Sequence, residues 1–344
     1  MQLELSNYYS KMKFASLVLL LVAFSNDVTG RRLRRSGGFP KFPINPHRPT
    51  LISPLPIATP RDACGTRGVA FTPPRSGVAS AKIVGGAVSP YGAYPWQVEL
   101  LVWRPEKGQF EHRCGGAVIG SLAVLTAAHC VADVQASVLR VAIGQYRRNR
   151  PDPHEQTFRT HSIILHPNFR HAGPYSNDIA IIRVRDQASA SYGHLAGTRG
   201  RAIQFDSHVR AICLPARFQE VPSGSWCTVT GWGAQEAEDH DSLSVVLRAA
   251  AVPLVPLDRC RSSEIYGGRR QQILDSMICA GSLEGGTDAC GGDSGGPLAC
   301  EANGRFELAG VVSWGDGCAK KNRPGVYTRV SHYVDWIEEQ LQQL

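Results

Sequence analysis

Three short segments carry residue types that could share one reaction. Leu125-Thr-Ala-Ala-His-Cys130 brings His129 to the end of an apolar run, and Ser176-Asn-Asp-Ile-Ala-Ile-Ile182 sets Asp178 ahead of another. Gly291-Gly-Asp-Ser-Gly-Gly-Pro297 places Ser294 in a glycine-dense turn. A serine hydroxyl attacks a carbonyl only when a base takes its proton. An imidazole base in turn needs an anion that fixes its tautomer and stabilises the imidazolium. Glycines around Ser294 let the backbone approach a substrate with N–H groups turned toward a developing oxyanion. Acyl transfer through a serine nucleophile is therefore the chemistry open to these residues. Taken singly, a buried histidine, an aspartate before a strand and a Gly-Ser turn are structural more often than catalytic. Together they are specific.

Holding three such side chains in register takes a rigid body, and the chain is long enough to build one: 344 residues, 43% hydrophobic and 19% charged. From Ile83 onward, short apolar stretches alternate with Gly, Pro, Asn and Asp. Gln97–Trp103, Ser225–Thr230 and Leu308–Trp314 read as strands, which predicts an all-β barrel or sandwich. Val334, Ile337, Leu341 and Leu344 recur at steps of three and four and predict a C-terminal amphipathic helix packed on the body.

The N-terminal part differs. Lys11 and Lys13 precede the apolar run Phe14–Phe24, with small residues after it, which matches a signal peptide over 1–30; an uncleaved membrane anchor is the alternative. Residues 31–63 are basic and Pro-rich and read as an extended linker or pro-segment. Within them Arg32-Leu-Arg-Arg35 resembles a proprotein-convertase site, and a solvated or polyanion-binding charge run is as good a reading. Of the 37 Lys+Arg, 12 precede Ile83 with only 3 of the 29 Asp+Glu, so 25 basic residues face 26 acidic ones beyond it. The net charge of +8 thus belongs to the arm, and a nucleic-acid surface on the main domain is unsupported. The ten cysteines form no C-x-x-C and the histidines are scattered, so disulfides are expected and a metal site is not. No Asn-x-Ser/Thr sequon occurs.

Residues 83–344 resemble a trypsin/chymotrypsin-family serine protease, with eight motifs in family order. These are Ile83-Val-Gly-Gly86, Pro95-Trp96, Thr126–Cys130, Asn177-Asp-Ile179, Gly231-Trp-Gly233, Gly292–Pro297, Ser313-Trp-Gly315 and Pro324-Gly-Val-Tyr327. The resemblance implies two six-stranded antiparallel β-barrels with a C-terminal helix, preceded by the extended pro-segment. It implies His129 as general base, Asp178 as its orienting carboxylate, Ser294 as nucleophile, and the N–H groups of Gly292 and Ser294 as the oxyanion hole. It further implies a secreted endopeptidase made as a zymogen. Cleavage between Lys82 and Ile83, the end of a light-chain segment 64–82, would free an α-amine to pair with Asp293. Asp288 would floor a substrate pocket walled by Ser313, Trp314, Gly315 and Gly325, taking Arg or Lys. Ala289 stands where many relatives carry a serine that helps hold a lysine, so Arg is expected over Lys.

Family pairings imply Cys114–Cys130, Cys227–Cys300, Cys260–Cys279 and Cys290–Cys318, with Cys64–Cys213 tethering the light chain; a free thiol or intermolecular bond at Cys64 is the alternative. Gly291 replaces a longer polar residue over the pocket entrance. Three arginines with only Asp152 and Glu155 in the loop 144–155 argue against calcium, and Pro324 against sodium activation. The segment 188–201 is an insertion that reads as an exposed loop. No cofactor is expected. Expected partners are protein substrates, an upstream activating protease and a protein inhibitor, with no nucleic acid, no membrane after signal removal, and a monomeric state of two disulfide-linked chains. Limited proteolysis in a cascade is expected over digestion, for which a tethered light chain is superfluous. The rival reading is a non-catalytic homologue acting as a binding cofactor, and a polyanion-binding matrix protein rests on the basic arm alone.

Overall fold

The computed structural model describes residues 64–75, 86–186, 202–236, 239–269 and 271–344. The signal-peptide and linker expectations, Lys82, Ile83 and the insertion 188–201 lie outside the described residues.

After the two-residue strand β1 (Ala87–Val88), six strands form the first barrel: β2 (Gln97–Arg104), β3 (Gln109–Gly120), β4 (Ala123–Thr126), β5 (Leu139–Ile143), β6 (Gln156–Leu165) and β7 (Ala180–Asp186). They pair antiparallel in the closed order β2-β3-β4-β7-β6-β5. Val98, Leu100, Val124, Leu125, Leu139, Val141, Ile143, Ile181 and Ile182 are all wholly buried there, the β-branched and leucine side chains that suit a filled barrel interior. One helical turn, α1 (Ala128–Val131), follows β4.

The second barrel holds β8 (Trp226–Gly231), β11 (Arg248–Val255), β12 (Met277–Ala280), β13 (Pro297–Ala302), β14 (Arg305–Trp314) and β15 (Gly325–Arg329), after a side hairpin of β9 (Ala234–Glu236) and β10 (Asp239–Leu243). It closes because β8 pairs with both β11 and β13, and β1 adds to the outer edge of β11. The short α2 (Leu257–Cys260) and the C-terminal α3 (Val334–Gln342) complete the fold. The alternatives of barrel or sandwich resolve to two barrels. β8 begins one residue later than expected from the sequence and β14 three residues earlier, because the β13–β14 hairpin keeps pairing down to Ala302↔Arg305. The helix buries Val334 and Ile337 but ends at Gln342, with Leu344 packed beyond it.

The main core runs through the first barrel and across the seam to Trp232, Ala299, Leu308 and Val311 of the second. At that seam the backbones themselves meet: a Cβ on Gly115 would stand 2.9 Å from the Cα of Gly296. Gly295, at φ +78°, would put a Cβ 2.2 Å from Thr126 Oγ1. Glycine is required at 295 on both counts. All five pairings implied by the family are present as disulfides, including Cys64–Cys213, and no cysteine among the described residues is free.

Candidate active site

His129 sits on α1, delivered by one helical turn and not by the strand end itself, with the Cys114–Cys130 disulfide tying that turn to β3. Asp178 lies two residues before β7 and is fully buried. One of its oxygens, Oδ1, accepts the backbone N–H of His129 at 2.8 Å; the other, Oδ2, meets His129 Nδ1 at 2.7 Å. Oδ2 also accepts the Ser313 hydroxyl at 2.5 Å, and Thr328 Oγ1 donates to the Asp178 carbonyl at 2.8 Å. The carboxylate therefore fixes position and tautomer of the ring together, leaving Nε2 as the proton-accepting edge. The ring is partly open, with a fifth of its side chain exposed. Ser313, expected among the pocket residues, gives its hydroxyl to Asp178. Among the described residues no hydrogen bond joins Ser294 Oγ to His129; Nε2 lies 3.7 Å from Cys130 Sγ. Such contacts commonly tighten only with substrate in place.

The turn carrying Ser294 is pinned through its carbonyls. Gly291 O accepts Ala234 N–H at 2.7 Å, Asp293 O accepts Gly296 N–H at 2.9 Å, and Ser294 O accepts Gly115 N–H at 2.8 Å. Among the described residues no peptide bond is cis, so each N–H points away from the carbonyl of the residue before it. The N–H groups of Gly292 and Ser294 are thereby aimed opposite to Ala234 and Gly296.

Asp293 points inward and is 1% exposed, accepting Gly233 N–H at 2.8 Å and Cys290 N–H at 2.9 Å. Burial pushes its carboxyl up, against these two hydrogen bonds and the nearby charge of His112. A side chain at Gly231 or Gly233 would occupy its place, with Cβ positions 2.1 and 2.4 Å from its oxygens.

Asp288 is likewise buried, accepting Ala289 N–H at 2.8 Å and Ala319 N–H at 3.3 Å. Its carboxyl is pushed up to about 7, chiefly by burial and also by Asp293, against those backbone bonds. A Cβ at Gly325 would lie 2.9 Å from Asp288 Oδ1, whereas one at Gly315 would meet only Gly317 O at 3.3 Å. Gly325 thus clears space for the carboxylate, and Gly315 keeps the slot open. Sequence reasoning quoted Tyr327 in a motif but gave it no role; it is a fully buried phenol whose oxygen has no hydrogen-bond partner and which burial, then Asp288, push well above its ordinary range. Sequence reasoning missed Tyr175, edge-on to His129 at 5.8 Å and stacked on Trp314 at 6.0 Å. Tyr175 stood two residues before a quoted motif, and nothing in its surroundings marked it.

Neither group of possible metal ligands is built for an ion. Cys114 and Cys130 beside His129 are consumed in a disulfide. His154 and His208 stack face to face at 4.0 Å beside Asp206, so their in-plane lone pairs run side by side and do not converge. In the loop 144–155, Asp152 Oδ2 accepts the N–H groups of Tyr146 and Arg147 at 2.7 Å each, and Glu155 accepts Asp152 N–H at 3.2 Å. Those carboxylates hold their own loop. No helix among the described residues is long and apolar enough to cross a membrane.

The family model described as Trypsin matches residues 83–337. The chain is 40% identical over 266 residues to a urokinase-type plasminogen activator of Gallus gallus, covering 76% of this chain and 57% of that protein. It is 41% identical over 266 residues to coagulation factor XII of Cavia porcellus, covering 75% and 40%. To a hepatocyte growth factor activator serine protease of Homo sapiens it is 37% identical over 298 residues, covering 85% and 41%. The chain spans about half the length of these curated relatives, or somewhat less. It belongs to the trypsin family.

Proposed function

We propose that this trypsin-family chain is a secreted serine endopeptidase, made as a zymogen, activated by cleavage at Lys82-Ile83 and hydrolysing peptide bonds after Arg in preference to Lys. The observation that carries the reading is the buried Asp178 carboxylate gripping both the backbone and the ring of His129. An ionised carboxylate so placed is costly to bury and useful only if the ring becomes charged during a reaction. In that reaction His129 Nε2 takes the Ser294 proton as Oγ adds to the scissile carbonyl. The Gly292 and Ser294 N–H groups receive the oxyanion, and the imidazolium returns its proton to the leaving amine. Water then clears the acyl-enzyme by the same route in reverse order.

Asp293 supports the activation step. A carboxylate this buried, held directly by two neutral N–H groups and pushed upward by burial, would gain from a cation in contact with it, which a freed Ile83 α-amine would supply. Asp288 supports the choice of a cationic side chain at the cleaved bond. Ala289 favours Arg: an ammonium would lack a serine hydroxyl, while a guanidinium engages the carboxylate with two N–H groups. Five disulfides favour an oxidising, extracellular setting. Relatives named as activators of plasminogen and hepatocyte growth factor favour limited proteolysis of protein substrates, with an upstream activator and a protein inhibitor as further partners.

The test starts from purified precursor. Cutting Lys82-Ile83, confirming the Ile83 terminus and assaying Arg and Lys peptide amides should yield activity only after the cut, falling at least about 1000-fold in Ser294→Ala. Equal kcat/KM for paired Arg and Lys amides would remove the Arg preference. A folded, cleanly cut protein inactive on every substrate would replace the reading with that of a non-catalytic binding cofactor.

A further inference from the structure

From Ile83 onward acidic and basic residues nearly balance, but the first barrel does not mix them evenly. Arg140 on β5 is registered opposite Arg159 on β6, and Arg159 opposite Arg185 on β7. Three arginines thus stand in line across three neighbouring strands, about 5 Å from one to the next along the backbone. Alternation turns Arg140 and Arg159 outward. Their neighbours Leu139, Val141, Phe158 and Thr160 are buried, whereas Arg140 is half-buried and Arg159 exposed.

Like charges directly opposite one another destabilise a sheet, and a registered row compounds the cost. Among the described residues neither Arg140 nor Arg159 has an acidic partner to offset it. Arg140 Nη1 donates only to the Leu139 and Ser137 carbonyls, at 3.1 and 3.3 Å. Burial, and then the positive charge of Arg159, push the Arg140 guanidinium below its ordinary range. The row runs on into aromatic surface. Arg140 lies over the Phe110 ring at 4.8 Å, and Trp103, registered opposite Phe110, meets that ring edge-on at 5.1 Å. Trp103 is 37% exposed. Glu111, next to Phe110, is already engaged by Lys107 at 2.8 Å.

We propose that this outer wall of the first barrel docks a linear sulfated polysaccharide, its anionic groups along the arginine row and a sugar ring against Trp103. Cations repeated at the strand spacing suit a polymer that repeats its anions. A sulfate between Arg140 and Arg159 replaces their repulsion with charge-assisted hydrogen bonds, so the ligand relieves a cost that the free protein carries. The open face of Trp103 beside the cations suits the apolar face of a sugar ring. Five disulfides match the oxidising setting in which such polymers occur, which favours them over nucleic acid. The wall is a separate site from the basic cluster Arg31–Arg35, and the two are distinguished by substitution.

The experiment uses the full-length precursor with the arm silenced by Arg31→Gln, Arg32→Gln, Arg34→Gln and Arg35→Gln. A heparin hexasaccharide is the probe, and its Kd is measured at several salt concentrations. The arm-silenced protein should still bind. Adding Arg140→Gln and Arg159→Gln should weaken binding at least about 10-fold and reduce the slope of log Kd against log salt by just under about two. Lysine at both positions should recover most of the affinity. Without the probe, Arg159→Gln should melt about 1–3 °C higher at low salt, because a repulsion is gone. Loss of all binding in the arm-silenced protein, or binding untouched by the two wall substitutions, would overturn the proposal. So would a polyglutamate of matched charge binding as tightly, which would make the occupant an acidic peptide, or a lower melting temperature in Arg159→Gln. If the doubly substituted wall does not fold, Arg159→Gln alone decides, with a slope change of just under about one.

Discussion

In the proposed pocket, the buried Asp288 would set both preference and pH response. Its carboxyl, pushed up to about 7 chiefly by burial, is charged above that pH and neutral below it. A cationic ligand gains only from the charged form, so benzamidine should bind with constant affinity above pH 7 and weaken toward about 10-fold per unit well below it. Titrating its affinity in Ser294→Ala should show this curve, and Asp288→Asn should give weak binding without it. At the neighbouring position, Ala289→Ser should give the Tyr327 hydroxyl and an incoming ammonium a shared partner. The Lys-to-Arg ratio of kcat/KM should then rise several-fold; no change would detach Ala289 from specificity. His129, Asp178, Ser294 and Asp288 were legible because their local sequences are peculiar in themselves. Glu99 on β2 and His112 on β3, whose Oε1 and Nδ1 meet at 2.7 Å, were not, because each is an ordinary polar residue in a strand. Their meeting depends on a register slip between Leu100 and Leu101 that no local pattern announces.

At the scale of elements, the proposed catalytic groups stand where strands stop, and glycines set how close those ends come. Gly295→Ala would force a Cβ onto Thr126 Oγ1 at a φ that alanine resists. We expect a loss of at least about 2–3 kcal/mol, read as a lower urea midpoint with an unchanged slope. A wild-type midpoint would mean that β4 yields at little cost. The strand periodicity gave the all-β class and placed β2 almost to the residue. It left barrel and sandwich undivided, because closure is a matter of which edges meet, and alternation along a strand is the same in both. The length of β14 was underestimated for a similar reason: Arg305 and Glu307 are polar and turn-like, and only pairing with β13 keeps them in the strand.

For the molecule as a whole, the Cys64–Cys213 disulfide would keep the proposed light-chain segment 64–82 attached after cleavage before Ile83. Arg67 lies over the ring of Phe306 at 4.3 Å and Gly65 exchanges hydrogen bonds with Ala211 and Phe306, so the segment is seated as well as tethered. After cutting, non-reducing electrophoresis should show one band and reducing electrophoresis two. Paired Cys64→Ser and Cys213→Ser replacements should release the light chain without abolishing amide hydrolysis. The Asp178 carboxylate has a comparable consequence at larger reach. It belongs to the first barrel by sequence, but the hydroxyl on its Oδ2 comes from β14 and the one on its carbonyl from β15. The two halves are therefore not interchangeable modules. A chimera that took its first barrel from this chain and its second from a relative would inherit a working charge only if Ser313 and Thr328, or their hydroxyls, came across with the donor half.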